Sequence, residues 1–370
     1  MKLLVTGHNG YIGSVLTDLL LEAGHRVVGL DTYFFEDCTF GPDSAAVPAI
    51  RKDIREIHTC DLEGFDAVVH LAALSNDPLG SLNADLTHAI NYAASVELAR
   101  LAKEAGVERY MFASSCSLYG FAGASVLAED APFNPITPYG ISKVRVEEGV
   151  SRLADERFSP TFLRNATAYG VSSRLRVDVV VNNLVGLAYT TGQVLVLSDG
   201  TPWRPLVHVE DIGRAFLAVL HAPREVIHDQ AFNVGRTSEN YRVSELADMV
   251  REAVPGSRVE YAEGGGSDPR SYRVDCSKLE NTLPEFQPCW TVRQGIEQLF
   301  GAFGAQGFSR ADFTDGTFIR LAQLQRLLRE GRLDEQLRWR ALGPRPESIG
   351  AATGEQSEAT VNHVRSPHTR

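Results

Sequence analysis

The chain has 370 residues, 44% of them apolar and 22% charged, the composition of a soluble globular protein with ample side chains for a sizeable core. That length accommodates one large domain or two moderate ones, and disorder is not the default. With 36 Lys and Arg against 47 Asp and Glu, the net charge of −11 excludes nucleic acid as an expected partner while leaving room for a nucleotide in a local pocket. The first apolar run, Leu3 to Val5, is too short for a signal-peptide core and reads as a buried strand. In chain order, strands are expected at 2–6, 26–31, 67–71 and 109–114. Between the first two, Ile12, Val15, Leu16, Leu19 and Leu20 recur at helical spacing before Gly24, and a longer helix over 83–105 stops at Gly106. Past Pro160 the alternation loosens, with strands at 161–165, 194–197, 231–234 and 258–261 among longer loops of the kind that build substrate sites. The uncharged stretch 179–198 carries asparagines, threonines and glycines, which excludes a membrane span. Gly264-Gly265-Gly266-Ser267 marks a turning loop, and 345–370 reads as a disordered tail.

This βαβ alternation predicts an α/β fold, a Rossmann-type doubly wound parallel sheet with a smaller C-terminal α/β substrate lobe. The dinucleotide-binding domain is expected over 1–165, with later segments returning to it, and the substrate lobe mainly over 166–340. Between the first strand and helix stands Thr6-Gly7-His8-Asn9-Gly10-Tyr11-Ile12-Gly13. Glycines at that spacing let the backbone turn tightly and approach a pyrophosphate held at the helix N-terminus. Asp31, ending the second strand, stands where a carboxylate accepts both adenosine ribose hydroxyls and repels a 2′-phosphate, which favours NAD over NADP. Asp53-Ile54 is either a cap on the adenine edge or a plain polar turn.

Tyr139-Gly140-Ile141-Ser142-Lys143 opens a helix after a turn-rich stretch, and the four-residue step puts Tyr139 and Lys143 on one face. A phenol is a poor base at neutral pH, but an adjacent ammonium favours its phenolate, so the pair can remove a hydroxyl proton while the neighbouring carbon is oxidised. Upstream, Ser114-Ser115-Cys116-Ser117-Leu118-Tyr119-Gly120 follows the fourth strand and offers a hydroxyl to the substrate oxygen.

In this order and at these intervals the motifs resemble the extended short-chain dehydrogenase/reductase family, and within it the NAD-dependent nucleotide-sugar epimerases and dehydratases, over about residues 2–303. The resemblance implies a dinucleotide site formed by Gly7, Asn9, Gly10, Tyr11, Ile12, Gly13, Asp31, Asp53, Ile54, Leu71, Ala72, Ala73, Asn91, Ser114, Tyr139 and Lys143. It also implies a catalytic trio of Ser115, Tyr139 and Lys143. For the nucleotide sugar it implies Ser75, Ser115, Thr167, Asn183, Arg204 and one of Arg270 or Arg273, guanidinium groups suiting a diphosphate. Departures stand beside it: Pro205-Leu206 replaces an acidic-aromatic pair, Thr167 stands where the family commonly has Asn, and Arg270 follows Asp268 instead of preceding it.

The five cysteines, Cys38, Cys60, Cys116, Cys276 and Cys289, are far apart and without a CxxC pair, so no disulfide framework or metal site is expected and a reducing cytoplasm fits. Cys116 reads as a buried small hydrophobe in preference to an acid/base thiol, and His70 as a packed core histidine in preference to a metal ligand. The expected activity is an NAD-dependent nucleotide-sugar 4-epimerase working through a transient 4-keto sugar. The alternative is a nucleotide-sugar or nucleotide-heptose 4-dehydrogenase, a possibility to which Cys116-Ser117 and the extension 308–339 lend a resemblance. Two rivals are a non-catalytic NAD-binding regulator, which the YxxxK disfavours, and an NADPH-spending carbonyl reductase, which Asp31 disfavours. 4,6-Dehydration is excluded, because the resemblance places an Asp-Glu pair where Cys116 and Ser117 stand. A homodimer is expected through apolar faces of the two long helices, with Ala93, Val96 and Leu98 on one and Val144, Val146 and Val150 on the other.

Overall fold

Seven strands form, the central ones from aliphatic runs buried on both faces and the edge strand β3 largely exposed: β1 (Lys2–Thr6), β2 (Arg26–Asp31), β3 (Ala49–Arg51), β4 (Ala67–His70), β5 (Arg109–Ser115), β6 (Ser159–Asn165) and β7 (Gln230–Val234). All pair in parallel in one sheet, in the order β7, β6, β5, β4, β1, β2, β3. The computed structural model describes residues 1–264, 266 and 270–340. The glycine-rich loop expected at 264–267 lies partly outside those residues, and the tail expected at 345–370 lies wholly outside them.

The helices that position the site are α1 (Tyr11–Glu22), α2 (Ala94–Glu104), α3 (Pro138–Ser151), α4 (Val180–Thr191), α5 (Val209–His221), α6 (Val243–Ala253), α7 (Val292–Gln306) and α8 (Arg320–Arg329). Strand side chains alternate between the two faces of the sheet. Leu4, Val68, Tyr110 and Phe112 pack with α2, α3 and α8, while Leu3, Val5, Val69 and Met111 pack with α1 and α5. On α1, Leu16 and Leu20 are fully buried, each contributing roughly 1.5–3 kcal/mol. The helix ends where Gly24 takes a positive φ and its N–H bonds back to Leu21. A parallel sheet wound both ways from the β1/β4 neighbours opens a crevice at the C-terminal strand ends, where such folds place ligands.

The second lobe has its own core, in which Val181, Leu184, Leu246, Val250, Ile296 and Leu299 bring α4, α6 and α7 together. The last segment does not stay with it. Phe308 and Phe318 close the second core, but Leu324, Leu327, Leu333 and Leu337 join the cluster of Leu4 and Leu30 in the first half. There the Trp339 indole N–H donates to the Thr32 carbonyl at 2.6 Å, and Arg55 donates to the carbonyls of Gln336 and Leu337.

The helix read over 83–105 is three consecutive pieces: Ala84–Thr87, a π-helical stretch His88–Ala93, and α2. The wider stretch carries Asn91, whose amide donates to the Leu74 carbonyl at 3.0 Å and accepts from the Leu74 N–H at 2.8 Å. The apolar residues assigned to an outward face are also divided differently. Leu98, Val146 and Val150 are buried inside the chain because α2 and α3 spend those positions on the sheet. Among the described residues, no helix is long and apolar enough to cross a membrane.

Candidate active site

A cavity of about 800 Å³ runs from the β1–α1 loop to the second lobe. At one end the glycine loop is closed so tightly that side chains are excluded. A Cβ on Gly13 would stand 2.1 Å from the Gly7 carbonyl oxygen, and one on Gly7, where φ is +74°, would stand 2.8 Å from the Ala72 nitrogen. The first turn of α1 therefore offers bare N–H groups and the positive end of its dipole to an anion. Asp31 lines the same end and accepts from the N–H groups of Asn9 and Tyr33, at 3.1 and 2.7 Å. Burial raises its carboxyl above the usual range, while those donors and His8 pull it back. A cradle without side chains beside a held carboxylate fits a dinucleotide: the glycine loop for its diphosphate and Asp31 for a ribose.

In the middle, β5 delivers Ser115 and α3 delivers Tyr139 and Lys143. Thr137 caps α3 by accepting from the Gly140 N–H at 3.1 Å, and Pro138 occupies the first turn. Burial pushes the Tyr139 phenol up to about 12, against a hydrogen bond from Ser115 and the nearby Arg176 charge, both of which lower it. Burial brings the Lys143 ammonium down to about 7, and Glu147 on the next turn opposes that. Its Nζ donates to the Ala113 carbonyl at 2.6 Å and lies 5.5 Å from the Tyr139 ring centroid.

The far wall is polar. Arg176 bonds Asp178 at 2.8 Å and Ser75 Oγ at 3.1 Å, and Asn76 donates to Asp178 at 3.0 Å. Arg270 reaches across from the second lobe to Asp77 at 2.8 Å, and Arg204 donates to the Arg270 carbonyl. Asn183 and Thr167 complete that wall.

Most residues picked from the sequence line this one cavity, among them Gly7, Gly10, Gly13, Asp31, Asp53, Leu71, Ser75, Ser114, Ser115, Tyr139, Lys143, Thr167, Asn183, Arg204 and Arg270. Tyr11, Ile12, Ile54, Ala72 and Ala73 do so as well. Three stand behind its wall. Asn9 contributes a backbone N–H to Asp31, Asn91 fastens the loop at Leu74, and Arg273 lies 4.9 Å over the Trp203 ring because β alternation turns it away from its neighbour Tyr272. Arg176, Asp178, Asp77 and Arg320 line the cavity without having been foreseen. For the first two the only signal was the alternation Arg174-Leu175-Arg176-Val177-Asp178, which places charges on one side of an extended segment. His70 is a core residue, bonded on its two ring nitrogens to Thr6 and Ser95 hydroxyls at 2.7 Å each. Cys116 is fully buried, its thiol donating to the Arg164 carbonyl at 3.0 Å, and burial raises its pKa strongly.

Comparison with known proteins places these features among relatives. The chain is 28% identical over 326 residues to UDP-glucose 4-epimerase of Corynebacterium glutamicum, covering 82% of this chain and 97% of that one. It is 29% identical over 309 residues to UDP-glucose 4-epimerase of Mycolicibacterium smegmatis, at 80% and 96% coverage. A solved structure, MoeE5 in complex with UDP-glucuronic acid and NAD, superposes with a TM-score of 0.72 at 29% identity, covering 82% of this chain and 99% of that one. The family model for NAD-dependent epimerases and dehydratases matches residues 3–235, well over half of the chain. With its Rossmann-type sheet, glycine loop and Tyr139–Lys143 pair, the chain belongs to the NAD-dependent epimerase/dehydratase family and is an NAD-dependent enzyme of that group.

Proposed function

We propose that the chain is a nucleotide-sugar 4-epimerase. The observation that carries this reading is the single cavity, in which the dinucleotide cradle, the Ser115–Tyr139–Lys143 centre and the Arg204–Asn183 wall follow one another. NAD, which the glycine loop and Asp31 would hold, would supply a reversible acceptor for the C4 hydride. Tyr139 takes the proton of the C4 hydroxyl and gives it back, Ser115 hydrogen-bonds that oxygen, and Lys143 supports the phenolate. Arg204 and Asn183 hold the diphosphate of the substrate, and Arg270 closes over it from the second lobe.

The centre is poorly furnished for 4,6-dehydration. Cys116 is sealed in the core, and the cavity carboxylates beside Tyr139 are already engaged, Asp77 by Thr137 and Arg270, Asp178 by Arg176 and Asn76. We also propose a homodimer through the outer faces of α2 and α3. The free cysteines support a reducing cytoplasm as the compartment.

The test is incubation with UDP-glucose and UDP-glucuronic acid, the sugars named for the relatives, followed by chromatography and mass spectrometry. A product of unchanged mass and altered C4 configuration is expected. Loss of two hydrogens would make the enzyme a 4-dehydrogenase, and loss of water would overturn the exclusion of dehydration.

A further inference from the structure

Arg320, the first residue of α8, is 2% exposed and lines the cavity although it comes from the far C-terminal segment. Its Nη2 donates to the Arg174 carbonyl at 2.6 Å, and its guanidinium carbon lies 4.6 Å over the Phe35 ring, so the group is held in place on two sides. Its Nη1 is buried and has no hydrogen-bond partner among the described residues. The nearest carboxylate, Asp178, receives only the Arg320 backbone N–H and is already paired with Arg176. Arg174 is paired with Asp43. Three guanidinium groups thus meet two carboxylates here, and two of their buried nitrogens, Arg320 Nη1 and Arg174 Nε, have no hydrogen-bond partner among the described residues; of the three, Arg320 and Arg176 line the cavity. The desolvation cost of such a charge is repaid when an anion meets it.

The position says which anion. Asp178 belongs to the polar wall, but the Phe35 ring under the guanidinium follows closely on Asp31, and both line the cavity together with Gly10 and Tyr11. The segment that carries Arg320 is fastened to the same end, with Gln323 donating to the Phe34 carbonyl at 3.3 Å and Trp339 to that of Thr32. We propose that residues 309–340 form a strap over the dinucleotide site and that Arg320 binds the diphosphate of the dinucleotide, adding a guanidinium to the N–H groups of the glycine loop. This rests on the NAD site and is independent of which sugar the enzyme takes.

Titration calorimetry on the full-length chain freed of nucleotide, with NAD, ADP, adenosine and UDP as separate probes, tests it. Arg320→Met should weaken NAD and ADP at least tenfold while leaving adenosine and UDP within twofold of the unaltered protein, and Arg320→Lys should recover part of the loss. Equal weakening of adenosine would mean that Arg320 only props the strap, and unchanged NAD affinity would end the proposal. Weakening of UDP alone would assign the guanidinium to the nucleotide sugar and overturn it as well. If Arg320→Met fails to fold, Arg320→Lys decides: an unchanged ratio of ADP to adenosine affinity counts against the proposal, a reduced one for it. Failure of the unaltered protein to bind NAD would instead remove the function proposed above.

Discussion

Tyr139 sits between opposing influences. Burial carries its phenol up to about 12, while the Ser115 hydroxyl and the Arg176 charge lower it. Lys143 lies close enough to tip the balance, but burial brings its own ammonium down to about 7, so the cation that supports the phenolate is partly lost near neutral pH. The sign of the consequence is fixed: removing a positive charge disfavours the phenolate, so the pH at which Tyr139 deprotonates must rise. Lys143→Ala is expected to lower kcat/KM by about 10²–10⁴-fold and to move the low-pH half-maximum of the pH–rate profile upward, because a base that must be deprotonated sets the acidic limb, where Lys143 still carries its charge. A profile of unchanged midpoint would mean that Lys143 does not act on the Tyr139 phenol.

At the scale of elements, the helix bearing the catalytic pair is locked to the sheet by a buried ion pair. Glu147 on α3 accepts from Arg164 on β6 at 2.7 Å and also from Ser114 on β5, while Arg164 donates to the Tyr119 hydroxyl at 3.0 Å. Both side chains are less than a tenth exposed. Glu147→Gln would leave the guanidinium buried without its counter-charge, a loss of about 3–5 kcal/mol. Urea unfolding measures it, and a change below about 1 kcal/mol would show that water or a shifted side chain replaces the carboxylate. Such pairings explain how far the sequence could be read. Strands β1, β2, β4 and β5 were legible because both faces of a central parallel sheet are covered, which writes continuous aliphatic runs into the chain. The glycine loop, Asp31 and the Tyr139–Lys143 step were legible because each is a local spacing. The π-helical stretch at His88–Ala93 was not, since its polar centre, Asn91, is satisfied by a loop 17 residues away. Arg176 and Arg320 were hidden for the same reason: a charge in a sequence does not disclose which cavity the fold will turn it towards.

For the molecule as a whole, the surface bears on assembly. With Leu98, Val146 and Val150 inside, the outer face of α2, α3 and the π-helical stretch keeps Tyr92, Val96 and Val144 half-buried and Ile141 38% exposed. That is a smaller apolar surface than the sequence suggested, spread over two helices, and a two-fold contact is the simplest way to cover it. Sedimentation at micromolar concentration should give twice the chain mass, and Ile141→Glu should reduce it to one; a monomer without the substitution would end the dimer proposal. The strap carries a different consequence, which concerns time. Leu324, Leu327, Leu333 and Leu337 share a core with Leu4, Leu30 and Val68, so strands β1, β2 and β4 are completed by a segment made far later in the same chain. Synthesis at roughly 5–20 residues per second separates the two by on the order of 15–60 s. Throughout that interval the part of this face that α2 and α3 leave open stays uncovered, a surface on which a holding chaperone competes with α8.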